Sequence, residues 1–488
     1  MSASPTSLPV AGWRTLGLLN RYHWFVFTVA ALGWLADCLD QQLFNLGRVS
    51  AVTELLSPHY SDSKELGDAV KNWAGYSTSI FLMGWATGGI AFGILGDRWG
   101  RVRTMILTIL LYSLFTGLSA LSVGVYDFAF YRFLTGLGVG GEFAVGVALL
   151  AETMPAPARP YTLGLLQACS ALGNVMAAGL FMLAGSFESK GYFKDVNFLG
   201  WPVTPWRVLF LVGTLPAIIA IIIRRRLKEP EAWARQAGDS LKKLGSYSEM
   251  LGQAPWRRHA FAGLALAFSG VVGLWAIGFF SVDLIQYVFK ENMVRQHFDI
   301  PAGQKLTGEA IEEYLKQAPH LGGDIRFYAG VTSLMIQLGA FCGMAAFTIV
   351  TGIIGRKIAF AITLLLAAGS TAIVFLYLQS VSDIFWMIPM MGFCQLALFG
   401  GYAIYFPELF PTRMRSTGVS FCYNVGRFIA AIGPVALAQL TNNVFADYKT
   451  VDPVLPFRYA GLTMCGVFGV GLVALFFLPE TKGKPLPE

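Results

Sequence analysis

The sequence predicts an all-α membrane protein with twelve transmembrane helices in two pseudo-symmetric six-helix bundles. Three observations lead to this prediction: an apolar composition, twelve long apolar runs, and a set of motifs that recurs at a fixed distance along the chain. Of the 488 residues, 55% are hydrophobic and only 13% are charged, whereas a soluble domain usually has about 25% charged residues. The 54 glycines fit a bundle in lipid, because small residues let helices approach closely.

Twelve apolar runs are long enough to be membrane spans, which need about 20 residues to cross the hydrocarbon core. A backbone in hydrocarbon must satisfy its own hydrogen bonds, so each run is expected to be a helix. The runs cover approximately residues 23–46, 74–96, 104–124, 127–151, 162–186, 206–223, 260–289, 327–350, 357–378, 383–406, 417–441 and 458–478.

Basic residues predict the orientation. The N-terminus, the segments that follow the even-numbered runs, and the C-terminus together hold more than half of the 36 Lys and Arg residues. Because such residues mark cytoplasmic segments, we expect an integral protein of the plasma (inner) membrane with both termini in the cytoplasm. The formal net charge of +7 then follows from this topology and requires no nucleic-acid partner, and the arginine-rich linker segment 224–226 is expected to contact lipid headgroups.

Two motifs occur twice with nearly the same separation. Arg101 follows the second run in GDRWGRVR, and Arg356 follows the eighth in TGIIGRK, 255 residues later. A glutamate precedes an arginine by seven residues after the fourth run and again after the tenth, and this second repeat has an offset of 256. Two unrelated markers at one offset indicate a duplicated six-helix unit.

The duplication predicts the domain organisation. We expect an N-terminal bundle at residues 1–223, a basic cytoplasmic linker at 224–258 and a C-terminal bundle at 259–488. Parallel halves of this kind are a transporter architecture, with the substrate site between them near the membrane midplane. The sequence has no G-x-S-x-G, HExxH or Walker motif, so an enzyme is not expected.

The repeated motifs resemble those of a known family. The segment GILGDRWGRVR (93–103) looks like the loop between helices 2 and 3 of the major facilitator superfamily, and residues 131–159 are similar to its fourth helix and following loop. The segments PELFPTRMRSTGVSF (407–421) and PETKGKPLPE (479–488) resemble the branch that contains sugar porters and metabolite:proton symporters. The resemblance covers nearly the whole chain and implies the major facilitator fold.

The resemblance also suggests a substrate class. The GGE sequence in helix 4 and the D-x-x-D pair in helix 1 favour proton symporters of organic acids. Helix 7, GVVGLWAIGFFSVDLIQYVF (270–289), lacks the paired glutamines with which sugar porters bind hydroxyls. A sugar porter, a facilitator without proton coupling and a non-transporting nutrient sensor remain alternatives. The tail of about ten residues after the last run argues against a sensor, since such sensors often carry long tails.

By resemblance, a cytoplasmic gate holds the two halves together in the outward-facing state. In the first copy, glycines permit a tight turn and Asp97 can cap a helix and pair with arginines. The second copy has Gly352 and Ile353 in place of the acid and the first arginine, so its contribution is expected to be weaker. A simple basic anchor at the membrane surface is the alternative. The residues of the cytoplasmic gate are Gly96, Asp97, Arg98, Gly100, Arg101, Glu152, Arg159, Arg356, Glu408 and Arg415.

Acidic residues inside the apolar runs are candidates for proton coupling, because an ionisable group at membrane depth is costly. Asp37 and Asp40 share one face of helix 1. If helix 1 ends near Leu46, Asp40 lies about 9 Å below its outer end, and Arg132 lies about 8 Å down helix 4 from the same side. The two residues are then level, and by resemblance such a pair is proton-linked in this branch. The alternative is that the acids only orient the two helices.

Glu142 lies deeper in helix 4 and either relays the proton or caps polar groups beside the glycine-rich packing face. None of the five histidines lies in the middle of a run, so proton coupling depends on carboxylates. A metal site and a cofactor are therefore not expected, and the proton is the expected coupling ion.

Arg427, in the middle of helix 11, is the candidate partner for an anionic substrate, because a guanidinium pairs bidentately with a carboxylate. Asn424 lies one turn before it on the same face. Pairing of Arg427 with Glu408 or with helix-end carbonyls is the alternative. We expect a monomer in the lipid bilayer that binds a small-molecule substrate. Further polar or aromatic residues that are candidates to line the cavity are Gln167, Asn174, Trp275, Gln286, Gln337, Gln395 and Tyr402.

Overall fold

In the N-terminal half, the chain is almost entirely helical. The helices are α1 (Arg21–Leu56), α2 (Ser63–Arg98), α3 (Arg101–Ser119), α4 (Val125–Thr153), α5 (Arg159–Ser189) and α6 (Pro205–Val212). Two short strands, β1 (Asn197–Phe198) and β2 (Trp201–Pro202), pair antiparallel between α5 and α6.

Two short helices, α7 (Glu231–Asp239) and α8 (Tyr247–Gly252), lie in the predicted linker. The C-terminal half follows with longer helices and several that are interrupted. These helices are α9 (Ala254–Val272), α10 (Phe280–His297), α11 (Gly308–Gln317), α12 (Pro319–Ile354), α13 (Arg356–Tyr377), α14 (Val381–Ile384), α15 (Met387–Leu409), α16 (Arg415–Ala430), α17 (Gly433–Gln439), α18 (Leu455–Met464) and α19 (Val467–Phe477).

The computed structural model confirms the prediction of a helical membrane protein. It describes residues 12–487 except 191, 194–195, 199–200, 219–225, 240–243, 275–279, 302–305, 307, 431–432, 451 and 453. Within these residues, nine helical segments are long and apolar enough to cross a membrane, and Pro205–Ile218 is a shorter apolar helix. The predicted spans 206–223, 260–289 and 417–441 do not appear among the nine, and each contains residues outside the described ones.

Helix α1 is longer than the sequence predicts. It continues to Leu56, ten residues past the predicted end at Leu46, so Asp40 lies about 24 Å from the end of the helix at 1.5 Å per residue. The extension is held by Glu54, which accepts hydrogen bonds from Trp206 Nε1 at 2.6 Å and Arg207 Nε at 2.9 Å. A helix end predicted from hydropathy alone does not take such a contact into account.

Glycines set the close packing of α2 against α4. A Cβ atom added at Gly84 or Gly88 would lie 2.2 or 2.0 Å from a carbonyl oxygen of α4, and one added at Gly140 would lie 2.0 Å from the Trp85 carbonyl of α2. The C-terminal half repeats the arrangement, since a Cβ at Gly339 of α12 would lie 2.0 Å from the Pro389 carbonyl of α15. Small residues therefore let corresponding helix pairs in the two halves approach closely.

The two halves meet chiefly along two helix pairs, α2 with α16 and α5 with α12. In the first pair, Ser420 Oγ of α16 donates a hydrogen bond to the Gly89 carbonyl of α2. In the second, Asn174 Nδ2 of α5 donates to Gln337 Oε1 of α12 at 3.0 Å. The contact surface lies beside the helices that carry the candidate functional residues.

Candidate functional site

Three carboxylic acids lie buried between α1 and α4. Asp37 and Asp40 project from α1 and Glu142 projects from α4, and none is more than 1% exposed. The charge of Asp37 interacts with those of Glu142, Asp40 and Arg427. The structure therefore gathers into one cluster the acids that the sequence analysis selected on two different helices.

Asp40 and Arg132 form a loose buried pair. Arg132 Nη1 lies 4.0 Å from Asp40 Oδ2, and both side chains are fully buried. Arg132 donates instead to Ser119 Oγ, from Nη2 at 2.7 Å and from Nε at 3.0 Å. Neither oxygen of Asp40 accepts a hydrogen bond from a described residue. The two charges are adjacent, as the sequence predicts, yet the carboxylate keeps its hydrogen-bonding capacity unused.

Glu142 is held from two sides. Thr108 Oγ1 of α3 donates to Glu142 Oε2 at 2.8 Å. A Cβ atom added at Gly33 of α1 would lie only 2.6 Å from Glu142 Oε1, so the glycine provides the space that the carboxyl group occupies. The sequence analysis identified neither Thr108 nor Gly33, and only the packing of α1 and α3 on α4 shows them.

Arg427 reaches from α16 to the N-terminal half. Its guanidinium carbon lies 4.1 Å from the ring centroid of Trp85 on α2 and 4.3 Å from that of Tyr423. Nη1 donates to the Tyr423 carbonyl at 2.9 Å and to Asn424 Oδ1 at 2.8 Å, and Nε has no partner among the described residues. The cation is thus stacked between two aromatic rings, which the sequence analysis did not foresee.

Asn424 is occupied by contacts within the protein. Its Nδ2 donates to the Gly140 carbonyl of α4 at 3.2 Å and to Ser420 Oγ at 3.0 Å, while its Oδ1 accepts from Arg427. In this conformation Asn424 connects the two halves and orients the guanidinium.

The other polar candidates fall into separate environments. Asn174 and Gln337 bond to each other where α5 meets α12. Gln167 of α5 is buried, and its Oε1 has no partner in the described part of the chain. These three residues lie on the helix pair that joins the halves. Trp275 and the side chain of Gln286 lie outside the described residues.

Gln395 and Tyr402 make contacts within the C-terminal half. Gln395 Nε2 donates to Thr371 Oγ1 of α13 at 2.6 Å, and Tyr402 Oη donates to the Leu266 carbonyl of α9 at 2.9 Å. Tyr402 also stacks on Phe360 and Phe406. Both side chains satisfy polar groups inside this half, because α15 is buried all round.

Within the cytoplasmic gate, Asp97 caps a helix of the opposite half. Its carboxylate accepts from the backbone N–H groups of Ser416 at 3.1 Å and Thr417 at 2.8 Å, and from Thr417 Oγ1 at 2.6 Å. These N–H groups belong to the first turn of α16, where a helix has unpaired donors and a partial positive charge. Asp97 also pairs with Arg101 at 2.8 Å.

Arg101 and Arg415 share one acid. Arg101 Nη2 and Arg415 Nη1 lie 2.8 and 2.9 Å from Glu152 Oε1. Arg101 Nη2 also donates to the Thr412 carbonyl of the opposite half at 2.8 Å. The gate therefore joins the halves by ion pairs as well as by the helix cap.

Arg356, in the second copy of the motif, makes its ion pair and side-chain hydrogen bonds within its own half. Arg356 Nη2 lies 2.8 Å from Glu408 Oε1, so Glu408 is not the partner of Arg427. Gly352 occupies the place of the missing acid and lies near Tyr161 of α5. Arg159 forms no ion pair with a described residue, and its Nε has no hydrogen-bond partner there.

The sequence analysis did not identify two further residues of the cytoplasmic gate. Glu229 in the linker accepts from the backbone N–H groups of Arg101, Val102 and Arg103 at the start of α3, and Glu480 accepts from those of Arg356 and Lys357 at the start of α13. Burial raises the pKa of Glu229, and the backbone hydrogen bonds oppose that shift. In the sequence, each of these glutamates stands next to a proline after the last helix of its half. This repeated pattern could have indicated both residues.

The remaining gate residues complete the connection with the linker. Arg98 Nε donates to the Leu244 carbonyl at 2.9 Å. Gly96 accepts from Arg101 Nη1 at 2.6 Å, and Gly100 has φ of +115° before α3, a conformation that glycine adopts without strain. The described residues include no group of three metal-ligating side chains.

Comparison with known proteins agrees with this architecture. The family model described as Sugar (and other) transporter matches residues 28–257. A Haemophilus influenzae protein named for metabolite transport is 27% identical over 96% of this chain and 99% of its own length. A Cupriavidus pinatubonensis protein named as a 4-methylmuconolactone transporter is 28% identical over 92% of this chain and 89% of its own. The cis,cis-muconate transport protein of Acinetobacter baylyi is 26% identical over 76% and 78%.

A solved structure shares the fold. The major facilitator proton:xylose symporter XylE superposes with a TM-score of 0.65 over 95% of this chain and 98% of its own, at 16% identity. That likeness concerns the fold alone. The matched family model and these relatives show that this chain is similar in sequence to transport proteins, and its fold is that of the major facilitator transporters.

Proposed function

We propose that this protein is a proton-coupled symporter of a small organic acid that works by alternating access between two six-helix halves. The halves are residues 1–223 and 259–488, joined by the linker at 224–258. The termini face the cytoplasm, and the protein acts in the plasma (inner) membrane as a monomer. The proton is its coupling ion, and no cofactor takes part.

The charge balance of the buried cluster supports proton coupling. Three acids, Asp37, Asp40 and Glu142, face two cations, Arg132 and Arg427, and all five side chains are buried. With every group ionised, the cluster has one negative charge in excess, which is unfavourable away from water. One bound proton removes the excess. This observation carries the proposal.

Competition for Arg427 couples the proton to the substrate. The charges of Asp37 and Arg427 interact across the boundary between the halves. A carboxylate substrate that pairs with Arg427 neutralises this cation, so the buried acids are then left with less compensating positive charge. Binding of the anion therefore favours proton uptake by the acidic cluster, and one anion moves with one proton at no net charge.

The relatives support an organic acid as the substrate. One is named for the transport of muconate and another for that of a muconolactone, and the first of these compounds is a carboxylate. The stacked guanidinium of Arg427 offers a cation whose Nε is unpartnered among the described residues. The alternative is a sugar porter, because the family model and a solved structure of the same fold belong to sugar transport.

Uptake by purified protein in liposomes tests the proposal. An inward proton gradient should accelerate uptake of a carboxylate, and the panel should include aromatic acids, muconate and lactate beside xylose and glucose. A membrane potential imposed without a pH difference should have little effect on uptake of a monocarboxylate such as lactate, since one proton moved with one monoanion carries no net charge. Uptake of a sugar alone, or uptake indifferent to the pH gradient, would favour the sugar porter or the uncoupled facilitator.

The cytoplasmic gate provides a separate prediction. Arg101→Ala leaves Asp97 without a buried cation, leaves Glu152 with Arg415 alone and removes the bond to Thr412, so the closed cytoplasmic end loses stability. We expect the maximal uptake rate to fall about tenfold or more while the half-saturating concentration changes less than about threefold. The matched variant Arg356→Ala should have a milder effect on rate, because Arg356 contacts only its own half.

The measurement is initial uptake rate against substrate concentration, normalised to folded protein in the membrane. Thermal melting of both purified variants separates a change in rate from a loss of folding. Equal losses of rate in the two variants would contradict the asymmetry of the gate.

A further inference from the structure

A groove on the membrane-facing surface is formed by two helices of the C-terminal half, neither of which carries a buried acid. It runs between α9 and α19 and has a volume of about 860 Å³. Its walls are small and apolar residues, and its one polar end is formed by Arg257 and Arg258 in the first turns of α9. Neither the proposed transport cycle nor the cytoplasmic gate uses this groove.

The dimensions of the groove match one leaflet of a bilayer. Its lining residues on α9 extend from Ala254 to Ala265, which corresponds to about 16 Å at 1.5 Å per residue. Half of a hydrocarbon core measures about 15 Å. Trp256, in the first turn of α9, is of the type that marks the level of the headgroups. The arginines therefore lie at the interface and the apolar walls at acyl-chain depth.

The apolar walls are open to the surroundings. Phe261, Val470, Val473 and Phe477 are 41–58% exposed, and a Cβ atom added at Gly469 would meet no other atom within 4 Å. The small residue at this position leaves a furrow between the larger side chains. An acyl chain fits such a furrow, because contact there fills space without displacing protein.

The arginines retain hydrogen-bonding capacity. Arg258 Nε donates to the Phe477 carbonyl at 2.9 Å, and its guanidinium lies 5.8 Å from the Phe477 ring centroid. These contacts fix the side chain at the C-terminal end of α19. Both arginines are exposed, and no ion pair to either is found among the described residues. A phosphate diester is the anion that a guanidinium fork binds bidentately.

We propose that the groove between α9 and α19 binds one anionic phospholipid of the cytoplasmic leaflet. The headgroup pairs with Arg257 and Arg258, and one acyl chain lies along Phe261, Gly469 and Val473. The leaflet follows from the proposed orientation, whereas the binding itself does not depend on it. Because α9 packs against α16, which carries Arg427, a bound lipid contacts a direct neighbour of the helix that carries the proposed substrate residue.

Native mass spectrometry of the full-length protein tests this site, with phosphatidylglycerol and phosphatidylcholine of identical acyl chains as the probes. The wild type should retain one phosphatidylglycerol in preference to phosphatidylcholine. Removal of both charges in Arg257→Gln/Arg258→Gln should weaken that binding roughly 30-fold, because each arginine near an anionic headgroup raises the affinity about fivefold. The charge-matched control Arg103→Gln/Lys357→Gln removes two cations from the same end of the bundle and should bind as the wild type does.

A second pair of variants tests the acyl-chain furrow. Gly469→Leu fills the furrow without a clash and should abolish preferential retention of the lipid. Gly369→Leu is its control, because Gly369 of α13 is also exposed and its added Cβ likewise meets no atom within 4 Å. Equal retention of the two lipids by the wild type, or undiminished binding by both the double-arginine and the Gly469→Leu variants, would overturn the proposal. Melting temperatures establish that each variant is folded.

Discussion

An Asp40→Asn variant is expected to lose gradient-driven accumulation of substrate while it retains exchange of substrate across the bilayer. Asparagine keeps the size of the side chain but cannot take up and release a proton. It also removes the acid beside Arg132, so no proton is taken up or released at that position. If Asp40 is the coupling site, coupling then ends, although the substrate site at Arg427 is unaltered.

The expected size of the effect follows from the driving force. A pH difference of one unit is about 1.4 kcal/mol for each proton, which supports roughly tenfold accumulation by a transporter that moves one proton with each anion. In Asp40→Asn the ratio of internal to external substrate should fall to about one under the same gradient. Liposome uptake and counterflow measure the two activities on one preparation.

A control on the same helix makes the result specific. Glu54→Gln removes a carboxylate at the outer end of α1, where it binds Trp206 and Arg207 and has no contact with the cluster. This variant should accumulate substrate as the wild type does. If Asp40→Asn also accumulates substrate against its gradient, coupling does not depend on Asp40.

Composition and the length of the apolar runs were enough to predict the helical membrane fold, and the repeated motifs were enough to indicate the resemblance to the major facilitator superfamily. Hydrophobic length did not give the end of α1, because the last ten residues of the helix are held by Glu54, Trp206 and Arg207 and not by lipid. The depth argument nevertheless selected Asp40 and Arg132, which the structure places 4.0 Å apart.

The surroundings of the charged residues were not predictable from the sequence. Trp85 stacks on Arg427 although the two residues are far apart in the chain, and no periodicity relates them. Gln395 and Tyr402 are polar residues in apolar helices, just as Gln167 is, but their partners Thr371 and Leu266 lie inside the C-terminal half. A polar residue within a span needs a hydrogen-bond partner. Only the packing of the helices shows whether that partner belongs to the protein or to the substrate.

Arg427→Lys is expected to weaken binding of a carboxylate substrate about tenfold or more, through loss of a charge-assisted hydrogen bond. Lysine keeps the positive charge, so the balance of the acidic cluster is preserved. It loses the planar fork that binds a carboxylate bidentately and the stacking between Trp85 and Tyr423. The unaltered charge makes this substitution a test of recognition and not of charge balance.

The decisive measurement is competition for binding by a carboxylate and by its uncharged amide, in the wild type and in the variant. The wild type should prefer the carboxylate, and Arg427→Lys should reduce that preference. Arg458→Lys is the matched control, since Arg458 is another buried arginine of the C-terminal half and donates to the Phe375 and Leu378 carbonyls away from the cluster. A loss of affinity shared by both variants would indicate general damage to this half. Equal competition by acid and amide in the wild type would instead mean that Arg427 does not select an anion, and the sugar porter would become the better account of the cavity.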